Sequence, residues 1–160
     1  MHPSLQQLID ANIPMELNPP ATQEAIAQYE RQEGITLPAY YKEFLQFGNG
    51  GYMFGLSGPL FYGVDSESEG YYLADGKETR ENYELPDTCC VVGYMSWGDP
   101  LCIDLETQEF VEWDHETWDA WEDSVRWASL FPFIDELFIS HFETLPEFID
   151  RIQKQLEVDK

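Results

Sequence analysis

An α+β domain is what this 160-residue sequence predicts, and three observations predict it. Both ends of the chain carry apolar residues at helical spacing with recognisable start and stop signals. The middle holds short aromatic, β-branched and cysteine-containing runs broken by turn residues, the pattern of strands. No linker-like stretch and no repeat divides the chain, so residues 1–160 are expected to fold as one domain with a real core.

The elements follow in order. Pro3 to Asp10 reads as a short helix with Leu5, Leu8 and Ile9 on one face, and Asn18-Pro19-Pro20 breaks what precedes it. Thr22 suits an N-cap, Glu24 favours the positive end of the helix dipole, and Ile26 and Tyr29 lead to a stop at Gly34. Ile35 to Leu37 is a short extended link. Pro38 fits the first turn of a second helix with Tyr41, Phe44 and Leu45 in its stripe, and Asn49-Gly50-Gly51 stops it with glycines suited to positive φ. Tyr52 to Leu56 and Leu60 to Val64 are short strands, Asp65 to Gly70 an acidic loop, and Tyr71 to Tyr83 partly helical.

Cys89 to Tyr94, Leu101 to Leu105 and Glu109 to Trp113 read as three strands, with Thr107-Gln108 as a tight connection between the last two. Glu116 to Ala128 is expected to be a helix, because Trp118, Trp121, Val125 and Ala128 fall at helical spacing. Its outer side would carry Asp119, Glu122 and Asp123. Phe131 to His141 is expected as another helix. The last one starts at a capping box, Thr144-x-x-Glu147, and buries Phe148, Ile149, Ile152 and Leu156.

Charge narrows the function. There are 31 acids against 8 Lys and Arg, a formal net of −23. Between Val64 and Asp123 the only bases are Lys77 and Arg80. Such a surface repels nucleic acid and anionic lipid, and attracts basic proteins. The bland alternative is that the acids keep an aromatic-rich chain soluble. No apolar run nears the ~20 residues of a membrane span, and MHPSLQQLID lacks the features of a secretory signal, so a soluble cytoplasmic protein is expected. Cys89, Cys90 and Cys102 form neither an even framework nor a C-x-x-C, and are expected as free, buried thiols.

Catalytic and metal chemistry find little support. Asp114, His115 and Glu116 are consecutive, so strand alternation lets at most two converge. The expected role of Asp114 is to cap backbone groups, and of His115 to hydrogen-bond locally. Paired carboxylates are uninformative among so many acids. No G-x-S-x-G and no phosphate loop is present. No catalytic residue, cofactor or metal is therefore expected. A partner would meet Asp65, Glu67 and Glu69 in the loop, and Glu112, Asp114, Glu116, Asp119, Glu122 and Asp123 further on.

Two stretches resemble the SUKH superfamily, the SMI/KNR type. Within Ile26 to Gly51 the carriers are Glu30, Ile35, Leu37-Pro38, Tyr41, Phe44-Leu45 and Asn49-Gly50-Gly51. Further on they are Gly98-Asp99, Leu101-Cys102-Ile103-Asp104 and Val111-Glu112-Trp113-Asp114-His115. Thr144 to Ile149 is similar to the family's closing amphipathic helix, which extends the resemblance over about residues 22–157. Trp118 to Ser140 is longer and more aromatic than the family's short tail. The resemblance implies a twisted, mainly antiparallel sheet flanked by helices. It also implies a bacterial immunity protein that binds and neutralises a cognate toxin, with the acidic face suiting a basic, nuclease-type one. It would act without catalysis, as a monomer or weak dimer. The alternative is an intracellular interaction or regulatory module with no toxin partner, and a small-ligand or metal binder is a third reading.

Overall fold

The computed structural model describes residues 1–55, 58–65, 73 and 76–141. Helix α1 spans Pro3–Asp10 and is followed by strand β1, Met15–Leu17. Helices α2 (Gln23–Glu33) and α3 (Ala39–Phe47) come next, then β2 (Gly51–Met53) and β3 (Leu60–Phe61). Helix α4 (Gly76–Asn82) precedes β4 (Cys89–Tyr94), β5 (Pro100–Asp104), β6 (Phe110–Glu112) and β7 (Val125–Trp127). A helix over residues 130–141, α5, follows. Glu67, Glu69 and the capping-box helix expected from Thr144 lie outside the described residues.

The seven strands pair in chain order, each antiparallel to the next. The α+β class and the antiparallel sheet are thus as expected. Local chemistry explains the helix ends. Thr22 Oγ1 accepts from Ala25 N at 3.0 Å, and Gly34 closes α2. Glu30, near the end of α2, accepts from Leu37 N at 2.8 Å and pairs with Lys42 at 3.1 Å, which ties α2 to the link and to α3. Gly51 sits at φ 120, and a Cβ there would run into the Glu16 carbonyl of β1. Only glycine lets the edge strand approach β2 so closely.

Phe44, Phe61, Leu101, Ile103 and Phe110 are wholly buried, and the Phe44 and Phe61 rings lie 4.9 Å apart. The Tyr41 hydroxyl, also in the core, donates to Tyr62 O at 3.0 Å. The cysteines are free, with Cys89 and Cys102 buried. Burial, reinforced by Cys89, pushes the Cys90 thiol up to about 12, which leaves it protonated.

Two strands depart from expectation. Met15–Leu17 carried no strand signal, yet it pairs with β2 through Met15↔Met53 and Leu17↔Gly51. Three residues are too short for alternation to show. The helix expected over Glu116 to Ala128 is absent. A loop, a single 3-10 turn at Trp121–Asp123 and strand β7 take its place. Trp118 adopts φ 50, which no right-handed helix contains. Val125–Trp127 pairs with β6 through Phe110↔Trp127, Val111↔Arg126 and Glu112↔Val125. Sheet pairing of a β-branched and an aromatic residue outweighed the helical spacing of the tryptophans.

Candidate partner-binding surface

The surface is built on β6 and the connection from Trp113 to Ser124. Phe110 and Val111 are buried, which anchors the strand, and Glu112 is half-buried. Alternation puts Val111 and Trp113 on one face and Glu112 on the other. Trp113 is buried, and its indole donates to Asp119 O at 2.8 Å, which pulls the connection back over that face. Trp118 packs edge-on against Trp113 and Tyr83, with ring centroids 5.7 and 5.5 Å away. It remains half exposed, and so does Trp97.

At the far end the connection is fixed by Asp104, which is only 4% exposed. Arg126 donates to Asp104 Oδ2 at 2.8 Å and to Glu109 Oε1 at 3.3 Å. The Trp121 indole reaches Asp104 Oδ2 at 3.3 Å, and the Arg126 guanidinium lies 5.0 Å from the Trp121 ring centre. Burial works to raise the Asp104 carboxyl. The Arg126 bond, the N–H groups of Glu106 and Thr107 and the Arg126 charge outweigh it and hold the group below its usual value. Those two N–H bonds to Asp104 Oδ1 also form the β5–β6 turn, where Gln108 takes φ 66. The turn is wider than the two-residue connection expected at Thr107-Gln108.

At the near end, Asp99 and Asp114 act as caps. Asp99 Oδ1 accepts from His115 N at 3.1 Å and from His115 Nδ1 at 2.6 Å, and its Oδ2 accepts from the Trp97 indole. Gly98, at φ 97, makes this turn and leaves room for the His115 ring, which a Cβ would meet at 3.2 Å. Asp114 Oδ1 accepts from Glu116 N and Thr117 N, which hold its carboxyl below the usual range. Ligand atoms of Asp99, Asp114 and His115 lie within 4.8 Å of one another. Strand alternation considers Asp114 and His115 with Glu116; Asp99, known from the sequence only through its Gly98-Asp99 motif, is brought to them by the fold. These bonds account for the grouping as a turn-fixing network: Asp114 caps the next backbone N–H groups as expected, whereas His115 bonds to Asp99, 16 positions away, rather than locally.

The acids expected to meet a partner therefore divide. Glu116, Asp119, Glu122 and Asp123 are exposed on the β6–β7 connection. None of them takes part in the described ion pairs, which engage Glu24, Glu30, Glu33, Asp99, Asp104 and Glu109. Asp114 is partly exposed but tied down. Asp65 belongs to other surroundings. It accepts from Asn49 Nδ2 at 2.9 Å and lines a hollow with Ala25, Gln28 and Gln32 of α2. Glu112 is not an open surface group. Burial, with Asp99, Asp114 and Glu136 as like-charged neighbours, pushes its carboxyl up to about 7.

Glu112 gives a pH prediction. Its folded value, about 7, lies above its ordinary 4.5, so between these the folded chain holds the proton more tightly. Stability is fully present below the lower value and is lost as pH rises through the upper one. The loss is on the order of 1–2 kcal/mol once solvent screening of this part-exposed group is allowed for. Urea unfolding at about pH 5 and about pH 8 will show it, and Glu112→Gln will remove that part of the difference.

Sequence reasoning missed Glu136 and Trp127, and also the contact of Asp99 with His115. Glu136 lay on a helix read only as an element, and Trp127 fell within a helix that does not form. Among the described residues no helix is long and apolar enough to cross a membrane.

A model of the SMI1 / KNR4 family (SUKH-1) matches residues 20–136, well over half of the chain. The match takes in most of the aromatic stretch from Trp118 and stops before the C-terminal segment that was counted in the resemblance. No curated protein matches the chain.

Proposed function

This chain belongs to the SMI1/KNR4 (SUKH-1) family, and from that premise we propose that it is a bacterial immunity protein. It binds a cognate toxin in the cytoplasm and neutralises it by occlusion, without chemistry of its own. The observation that carries the reading is the β6–β7 connection. It displays Glu116, Asp119, Glu122 and Asp123 to solvent, in a stretch with no Lys or Arg between Arg80 and Arg126. The partner that suits this face is basic, and a nuclease-type domain is the natural case. Such a domain must present cations to phosphate, and the carboxylates take the place of the phosphates. The immunity protein acts as a monomer or weak dimer.

The experiment is co-expression with the C-terminal domain of a large gene beside this one, where the immunity reading expects a toxin to be encoded. That domain alone is expected to stop growth, and this protein to restore it. A domain that kills equally with and without the protein ends the immunity reading. It would leave the second one, an interaction module without a toxin, which family membership alone supports.

A further inference from the structure

On the other side of β6 from Trp113, a cleft of about 180 Å³ opens between α5 and the sheet. Trp97, Trp127 and Phe133 supply aromatic walls, and Glu112 and Glu136 supply two carboxylates. The arrangement is built rather than incidental. Trp127 packs edge-on against Phe133 at 5.0 Å and donates its indole N–H to Glu136 Oε1 at 3.1 Å, which fixes one carboxylate. Glu112 has no hydrogen-bond donor among the described residues, although it is half-buried.

The carboxylates around Glu112 share its sign, and the nearby His115 ring is committed to one of them, Asp99. Asp99 precedes β5, Asp114 follows β6 and Glu136 stands on α5. Arg126 of β7 is committed to Asp104 and Glu109. Among the described residues, this half-buried carboxylate with acidic neighbours and aromatic walls has no cation beside it. Of the two cationic side chains, arginine suits the cleft better. Its guanidinium is planar, stacks on indole faces, sheds water more readily than an ammonium, and can donate to two carboxylates at once.

We propose that this cleft is an anchor pocket for an arginine side chain of the protein's basic partner. This rests on the binding reading above and names the contact that gives it specificity, where the exposed acids of the β6–β7 connection supply long-range attraction. Entry of the guanidinium removes the like-charge repulsion and ionises Glu112. Near neutral pH, binding therefore releases a proton and tightens as pH rises from about 6 to about 8.

The test uses the full chain and a side-chain analogue, so it does not depend on any toxin. The protein is titrated with n-propylguanidinium near pH 7 while the five tryptophan indole N–H resonances and the Glu112 side-chain carbon are followed by NMR. The expected result is saturable movement of the Trp97 and Trp127 indoles, with little at Trp118 and Trp121. The Glu112 carbon shifts toward its ionised position, and n-butylammonium binds more weakly. Glu112→Gln, a neutral isostere that relieves repulsion and should leave the fold intact, weakens binding about tenfold. Non-saturating shifts of similar size at every indole would overturn the pocket, as would unchanged binding to Glu112→Gln. An ammonium that binds as well as the guanidinium would overturn the choice of arginine. A Glu112→Gln protein that protects against the toxin as fully as wild type, and binds it as tightly, would overturn the anchor role while the immunity reading stands. Guanidinium that seats as expected in a protein offering no protection supports the pocket and sinks the immunity reading alone.

Discussion

Converting Glu116, Asp119, Glu122 and Asp123 together to their amides will slow capture of a basic toxin domain about tenfold at low salt. Each is exposed and outside the described ion pairs, so the fold has little reason to respond. Asp119 holds the Trp113 indole through its backbone oxygen, and the amide keeps that bond. The change should fall on the association rate more than on dissociation, because unpaired surface charge acts over a distance before contact. Stopped-flow mixing of the two proteins separates the rates. A quadruple variant that associates as fast as wild type would place the productive face elsewhere on the molecule.

Arg126→Ala will cost about 3 kcal/mol of stability, measured by urea unfolding. Removing the guanidinium leaves Asp104 charged and nearly inaccessible, with the Trp121 indole and the Glu106 and Thr107 N–H groups as its remaining donors among the described residues. It also strips the stacking partner from Trp121 and the donor to Trp121 O, so the 3-10 turn loosens. Asp104→Asn in the same background should recover part of the loss, because the uncompensated charge is then gone. The pair also predicts an acid limb. The Asp104 carboxyl is held below its unfolded value, so its stabilisation is present at neutral pH and is lost as pH falls through the acidic range. A loss in Arg126→Ala no larger than that of an ordinary surface substitution would mean that Asp104 finds other compensation.

The sequence carried much of the architecture because its signals were local. Thr22, Gly34 and Asn49-Gly50-Gly51 act within a few residues of themselves, and the helix ends fall where they said. Cys89–Tyr94 and its two successors were legible because their runs are bounded by turns and buried on both faces. What failed was set by distant partners. Met15–Leu17 becomes a strand only because Gly51 lets β2 approach it. Trp118 and Trp121 mimic a helical stripe, yet each is held by something remote in sequence: Tyr83 for one, alongside the nearer Trp113, and Asp104 for the other. The candidate site divides in the same way. That acids crowd the β6–β7 connection follows from composition alone. That Glu112 turns away from the exposed acids into an aromatic cleft with Glu136 needs the tertiary fold. So does the bond from Asp99 to His115.

The central claim is that this protein's anionic face exists to meet a cationic macromolecule. Its most direct measurement is the association rate of wild-type protein with the proposed toxin partner from about 0.02 M to about 0.5 M salt, over which the screening length shrinks several-fold. A fall of tenfold or more, with dissociation changing far less, is the predicted result. A rate that stays level across that range would contradict it.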